Sequence, residues 1–98
     1  MKSFLVILSE KQPALFTDEL LMAHVNHLKE LQQQGNLILC GPFVDNQRAL
    51  LIIRASEKAE VEAFIEQDPF IKSNYYQQFE LHEFMEANDE NLWLGLIK

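Results

Sequence analysis

Ninety-eight residues, 48% hydrophobic and 23% charged, have the size and composition of one ordinary globular domain with a single modest core. A formal net charge of −7, with only 8 lysines and arginines, argues against a nucleic-acid surface and against an anionic membrane surface. No apolar run approaches the roughly 20 residues of a membrane span, and the lone Cys40 excludes an intrachain disulfide or a cysteine-rich zinc site.

Lys2 to Leu8 is rich in Phe, Val, Ile and Leu and too short for a stable helix, so it reads as a first strand. Ser9-Glu10-Lys11-Gln12 is a poor signal-peptide cleavage region, and a cytoplasmic protein is expected. Glu10 to Phe16, containing Pro13, reads as a loop. Thr17 is placed to cap a helix whose first turn carries Asp18 and Glu19, suited to the positive helix end; it runs to Gln34, and Gly35 stops it. Asn36 to Phe43 is a second strand, in which Cys40, beside Ile38 and Leu39, is expected to be a small buried hydrophobe. Val44 to Gln47 has turn composition, and Arg48 to Ala55 completes a hairpin.

Ser56 is the expected N-cap of a second helix with Val61, Phe64 and Ile65 inward, ending before Pro69. Tyr76 to Met85 is a fourth strand. Its alternation puts Tyr76, Gln78, Glu80, His82 and Phe84 on one face, and Phe79, Leu81 and Met85 on the face toward the helices. The chain thus divides into a domain over residues 1–86 and a segment over 87–98. That segment comprises a polar linker and the apolar Leu92 to Ile97, which either folds back or reaches onto a partner.

The order βαββαβ is the ferredoxin-like α+β arrangement, a four-stranded antiparallel sheet with two helices on one face. Phe4 to Leu8 and Leu50 to Ile53 are apolar without a break, so the sheet is apolar on both faces although helices cover only one. A second copy of the chain, packed sheet against sheet as an isologous homodimer, is the simplest cover for the open face.

Leu20, Leu21, Val25, Leu28 and Leu31 form one helical stripe, and at about 100° per residue His24 lies inside it, with His27 at its edge. A buried imidazole needs partners for both ring nitrogens, which backbone groups commonly supply. His24 and His27 are close enough to share a metal, but no Cys, Asp or Glu stands at a familiar ligand spacing, and no metal is expected. No glycine-rich phosphate loop follows a strand, so no organic cofactor is expected either. Asp68 sits at the C-terminal end of the second helix, where a negative charge is disfavoured. It is equally an N-cap before Pro69 at the start of a short turn. If it reaches His24, it fixes the tautomer and holds the charge of a general acid or base.

His24…Leu28…Leu31…Gly35, Gly41-Pro42-Phe43 and Asp68-Pro69-Phe70 together resemble the YCII-related domain family, over roughly Lys2 to Glu86. The resemblance implies a ferredoxin-like fold paired into a dimeric α+β barrel, and a His–Asp dyad in a cleft, here His24 and Asp68. Family relatives include a dehydrochlorinase of a chlorinated hydroxyquinol, and muconolactone isomerase has a similar barrel. The implied chemistry is proton transfer, elimination or isomerisation on a small, polar, cyclic molecule. Two departures stand out: the hairpin carries Val44-Asp45-Asn46-Gln47-Arg48 where relatives often have glycines, and Leu21 stands where many carry an arginine. Arg48 or Arg54 is the expected replacement cation. Gly41, Pro42, Phe70 and His82 complete the expected substrate-binding set, His82 from the mixed polar and aromatic face of the fourth strand, which is suited to lining an inter-subunit cavity or is a solvated edge. The alternative is a non-catalytic dimeric module that binds a ligand or partner, with His24 and Asp68 structural.

Overall fold

The computed structural model describes residues 1–95. Four strands, β1 (Lys2–Lys11), β2 (Leu37–Pro42), β3 (Ala49–Ala55) and β4 (Tyr76–Phe84), form one antiparallel sheet in the order β2-β3-β1-β4. Helices α1 (Asp18–Gln33), α2 (Lys58–Glu66) and the one-turn α3 (Pro69–Lys72) connect them. This is the ferredoxin-like α+β fold. No described helix is long and apolar enough to cross a membrane.

Alternation along β1 shows where the core lies. Phe4, Val6 and Leu8 are fully buried against the helices, beside Leu51, Ile53 and Ala55 of β3, whereas Leu5 and Ile7 between them are half-exposed. Val61 and Ile65 of α2 close over these residues, with Leu37 at the start of β2 and Leu31 at the end of α1. In contrast, Leu31 is the only fully buried residue of α1. Leu20 and Leu28 are partly buried where they pack against the core, and the helix stands off the sheet along Leu21 and Val25.

The opposite face carries its own apolar rows. Register places Leu39, Ile52, Leu5 and His82 side by side across the sheet, and Gly41, Leu50, Ile7 and Glu80 in the next row. Leu39 is 54% exposed and Phe84 38%.

Local chemistry sets the element ends. Thr17 Oγ1 accepts from Leu20 N at 3.0 Å and starts α1; Gly35 ends it in the left-handed region at φ 83°. Ser56 does not cap α2. The cap position is Glu57, with no side-chain bond, and Ser56 instead donates its backbone N–H to Glu60 Oε1 at 2.9 Å. The strand expected to end at Leu8 runs on to Lys11, because Lys11 still pairs with Tyr76 beyond Glu10, whose φ of 58° turns the chain locally. The expected loop accordingly shrinks to a single 3-10 turn at Pro13–Leu15.

In the tail, the polar linker forms a 3-10 turn at Asp89–Asn91, closed by reciprocal hydrogen bonds between Asn88 and Asn91. Leu92, Trp93 and Leu94 follow in left-handed conformations. Trp93 Nε1 donates to Asp89 Oδ1 at 2.8 Å, and Leu94 is buried while Leu92 and Trp93 are exposed. Leu96 and Ile97, the end of the apolar segment, lie outside the described residues.

Candidate functional site

The stand-off between α1 and the sheet is a cavity of about 430 Å³, which accounts for an imidazole on an apparently inward stripe. Leu21, Val25 and Leu28 of α1 form its helical wall together with His24. Leu8, Cys40 and Leu51 form the floor on the sheet, and Phe70, Tyr75 and Tyr76 close one end. The helical stripe is therefore apolar because it faces a hollow, and His24 shares that aspect.

His24 and Asp68, 44 positions apart, are in direct contact: Nδ1 lies 2.8 Å from Asp68 Oδ1. The turn before α3 makes this possible. Asp68 ends the α2 region with its N–H bonded to Ile65 O at 3.0 Å. Its side chain caps α3, Oδ1 accepting from Phe70 N at 2.9 Å, and Pro69 occupies the first helical position. Both sequence readings of Asp68 hold at once, since the capping oxygen is the one that meets His24. An oxygen accepting from Phe70 N–H and facing a ring nitrogen takes its second donor from that ring, so Nδ1 carries the proton. Nε2 then keeps its lone pair. It has no hydrogen-bond partner among the described residues, and it is not one of the enclosed unpaired atoms.

Burial gives the pair its electrostatic character. Asp68 is wholly buried and the His24 side chain 13% exposed. Asp68 Oδ2 is buried without a hydrogen-bond partner, a costly arrangement for a carboxylate unless a nearby positive charge compensates. Its field reaches the cavity lining. Desolvation pushes the Cys40 thiol up, and the Asp68 charge adds to it. The Tyr76 phenol is pushed up by desolvation first, then by Tyr75 and Asp68. The Phe70 ring stacks on the imidazole, centroids 3.8 Å apart and planes within 10°, and fixes the plane of the ring.

Several expected residues are placed differently. Gly41 and Pro42 border the cavity, and a Cβ at Gly41 would meet no atom within 4 Å. Phe70 forms both a wall and a support for His24. His82 does not share the cavity: its register opposite Leu5 puts it on the open face of the sheet, 60% exposed, with Glu80 Oε1 at 3.9 Å. Tyr76, assigned by alternation to that open face, is buried instead against Phe70 and Tyr75 at centroid distances of 5.9 and 5.1 Å. Cys40 is not buried; it is an exposed residue on the cavity floor at the sheet edge.

His27 takes the role of a satisfied histidine, with Nε2 3.0 Å from the Phe64 carbonyl oxygen. Neither arginine reaches the cavity. Arg48 stacks over Phe43 at 4.4 Å, and Arg54 pairs with Glu86 at 3.0 Å. The cation present is Lys11, brought there by the strand extension that the sequence pattern did not reveal.

Two solved structures share this geometry of fold. One is 5-chloro-2-hydroxyhydroquinone dehydrochlorinase (TftG) from Burkholderia phenoliruptrix AC1100, in complex with 2,5-dihydroxybenzoquinone. It is 21% identical, with a TM-score of 0.71, over 90% of this chain and 97% of that one. The other is an antibiotic biosynthesis monooxygenase, 14% identical, with a TM-score of 0.55, over 90% of this chain and all of that one. No curated protein matches the chain. The model of the YCII-related domain matches residues 3–85, which takes in all four strands, all three helices and the His24–Asp68 contact. With that span matched, the chain is a member of the YCII-related domain family.

Proposed function

We propose that this protein is a small-molecule enzyme in which His24 Nε2 moves a proton at the cavity and Asp68 orients the ring and holds its charge. The observation that carries this reading is the 2.8 Å contact between His24 Nδ1 and a fully buried carboxylate whose other oxygen has no partner. As general base, Nε2 takes a proton from a substrate carbon or hydroxyl, and the electron pair left behind delocalises into the substrate. The imidazolium then returns the proton to another atom, completing an isomerisation, or a leaving anion departs, completing an elimination. The neighbour TftG, in complex with a dihydroxybenzoquinone, supports a flat, oxygenated ring as the substrate class. The apolar walls and the stacked aromatic end fit such a ring.

The open sheet face, with Leu5, Ile7, Leu50 and Ile52 half-exposed, supports pairing with a second copy into a dimeric barrel. Ile7→Glu is expected to give a monomer by sedimentation velocity.

Hydrogen–deuterium exchange into a hydroxylated quinone such as 2,5-dihydroxybenzoquinone tests the proton-transfer role without knowledge of the physiological reaction. Wild type accelerates ring C–H exchange in D₂O, and His24→Gln, folded and melting like wild type, does not. Equal exchange by both proteins overturns the assignment.

A further inference from the structure

Among the described residues that line the cavity, Lys11 alone carries a permanent charge. Its ammonium is held at the mouth by three groups. It donates to the Asn46 carbonyl at 2.7 Å, and it stands 5.6 and 6.0 Å from the ring centroids of Tyr75 and Tyr76. The contact with Asn46 bridges the end of β1 to the β2–β3 hairpin. It also divides the cavity from an adjoining hollow lined by Lys11, Pro13, Phe16, Asn46, Gln47 and Tyr75.

The geometry points to Lys11 as the specificity-determining residue of the site, selecting a flat ring that bears an anionic oxygen, a carboxylate or an enolate. This rests on the cavity being the substrate site proposed above. Three physical arguments support it. An ammonium has three donors and no acceptor; Asn46 takes one, leaving two for a ligand oxygen. The aromatic rings beneath it attract the ammonium through their faces and help hold it at the mouth. Finally, the chain carries a net charge of −7, so its overall field repels anions, and only a local cation can draw one to this mouth.

The tyrosines extend the same recognition. Tyr75 and Tyr76 are 5% and 3% exposed, yet neither hydroxyl has a hydrogen-bond partner among the described residues. Neither is sealed, since Asp68 Oδ2 is the one fully enclosed, unpaired side-chain polar atom there. Each is a free donor on a ring that lines the same cavity and lies within 6.0 Å of the cation. A ring anchored there by its anionic substituent lies against Phe70 and Tyr76, toward the His24 imidazole.

Benzoate and its neutral isostere benzamide are the probes, titrated into uniformly labelled protein and followed by NMR at the His24 and Tyr76 ring resonances. Benzoate is expected to bind wild type more tightly than benzamide does, with affinity falling as salt is raised. Lys11→Met, which keeps the aliphatic stem, should weaken benzoate by about ten- to a hundredfold, the loss of one charge-assisted contact. Benzamide should be indifferent to the substitution. Benzoate binding that is unchanged in Lys11→Met, or no tighter than benzamide in wild type, overturns the assignment of Lys11. With benzamide still bound, the site itself stands. Failure of both probes to move the His24 resonances overturns the site and this inference together.

Discussion

Asp68 is both a helix cap and the partner of His24, and two substitutions separate those roles. Asp68→Asn keeps an oxygen in the capping position, so the 2.9 Å bond from Phe70 N–H survives. It removes the buried charge, while the amide NH2 that takes the place of Oδ2 finds no acceptor there, and the two effects oppose each other. Stability should therefore change by no more than about 1 kcal/mol, in line with the small or favourable effect of neutralising imperfectly paired buried charges. Asp68→Ala removes the oxygen as well. Loss of an N-cap costs roughly 0.5–2 kcal/mol, and the vacated contact to a 13% exposed imidazole adds on the order of 1–2 kcal/mol. The sum is about 1.5–4 kcal/mol, or a melting point lower by roughly 6–30 °C for a chain of this size. Thermal melts followed by circular dichroism separate the two variants. Quinone exchange activity should be lost in both, by about a hundredfold or more for the asparagine variant, as expected when a general base loses its orienting charge. An asparagine variant that melts as low as the alanine variant would refute the reasoning, because the charge rather than the cap would then hold the fold.

Other expectations follow from the same geometry. His27→Ala removes only the 3.0 Å contact to the Phe64 carbonyl; it should cost about 1 kcal/mol in a denaturant titration and leave exchange activity unchanged. Phe70→Ala deletes a ring packed on His24, Tyr75 and Tyr76, so a loss of about 3–5 kcal/mol is expected in the same titration. Cys40, its thiol pushed up by desolvation and then by Asp68, holds less thiolate at a given pH than a free cysteine. Its iodoacetamide alkylation at pH 8 should be correspondingly slow, and Asp68→Asn should quicken it only in part, because desolvation by the cavity walls is the larger cause.

Much of the fold was legible because strands and helices here obey simple local rules. Thr17 caps and Gly35 stops α1 where their chemistry requires, and the unbroken apolar runs in β1 and β3 foretell a sheet with two apolar faces. The site was legible only in part. His24 and Asp68 stand out as chemically misplaced residues, but their meeting depends on α1 lying over the turn before α3, a tertiary fact that no spacing encodes. Alternation fails at the strand ends, where pairing becomes irregular, and local pattern shows neither that Glu57 takes the α2 cap from Ser56 nor that Cys40 is exposed. Beyond Glu10, with its left-handed backbone, β1 continues to Lys11, and Tyr76 at the head of β4 turns into the aromatic cluster rather than toward the open face. Hence Lys11 and Tyr75 carry no signal in the pattern, Tyr76 leaves the face that alternation assigns it, and His82 stays on that open face, across the sheet from the cavity under α1. Along α1, Leu31 joins the core while Leu21, His24 and Val25 face the cavity, and periodicity alone gives both aspects the same pattern.

The pairing of His24 with Asp68 is measured most directly by two-bond ¹H–¹⁵N correlation spectra of the histidine rings, at a pH where the imidazoles are neutral. The account predicts that His24 is protonated at Nδ1 with a bare Nε2 in wild type, that this preference weakens in Asp68→Asn, and that 2,5-dihydroxybenzoquinone shifts Nε2 selectively. A wild-type His24 ring protonated at Nε2, or an Nδ1 preference undiminished when Asp68→Ala removes the accepting oxygen, would contradict it.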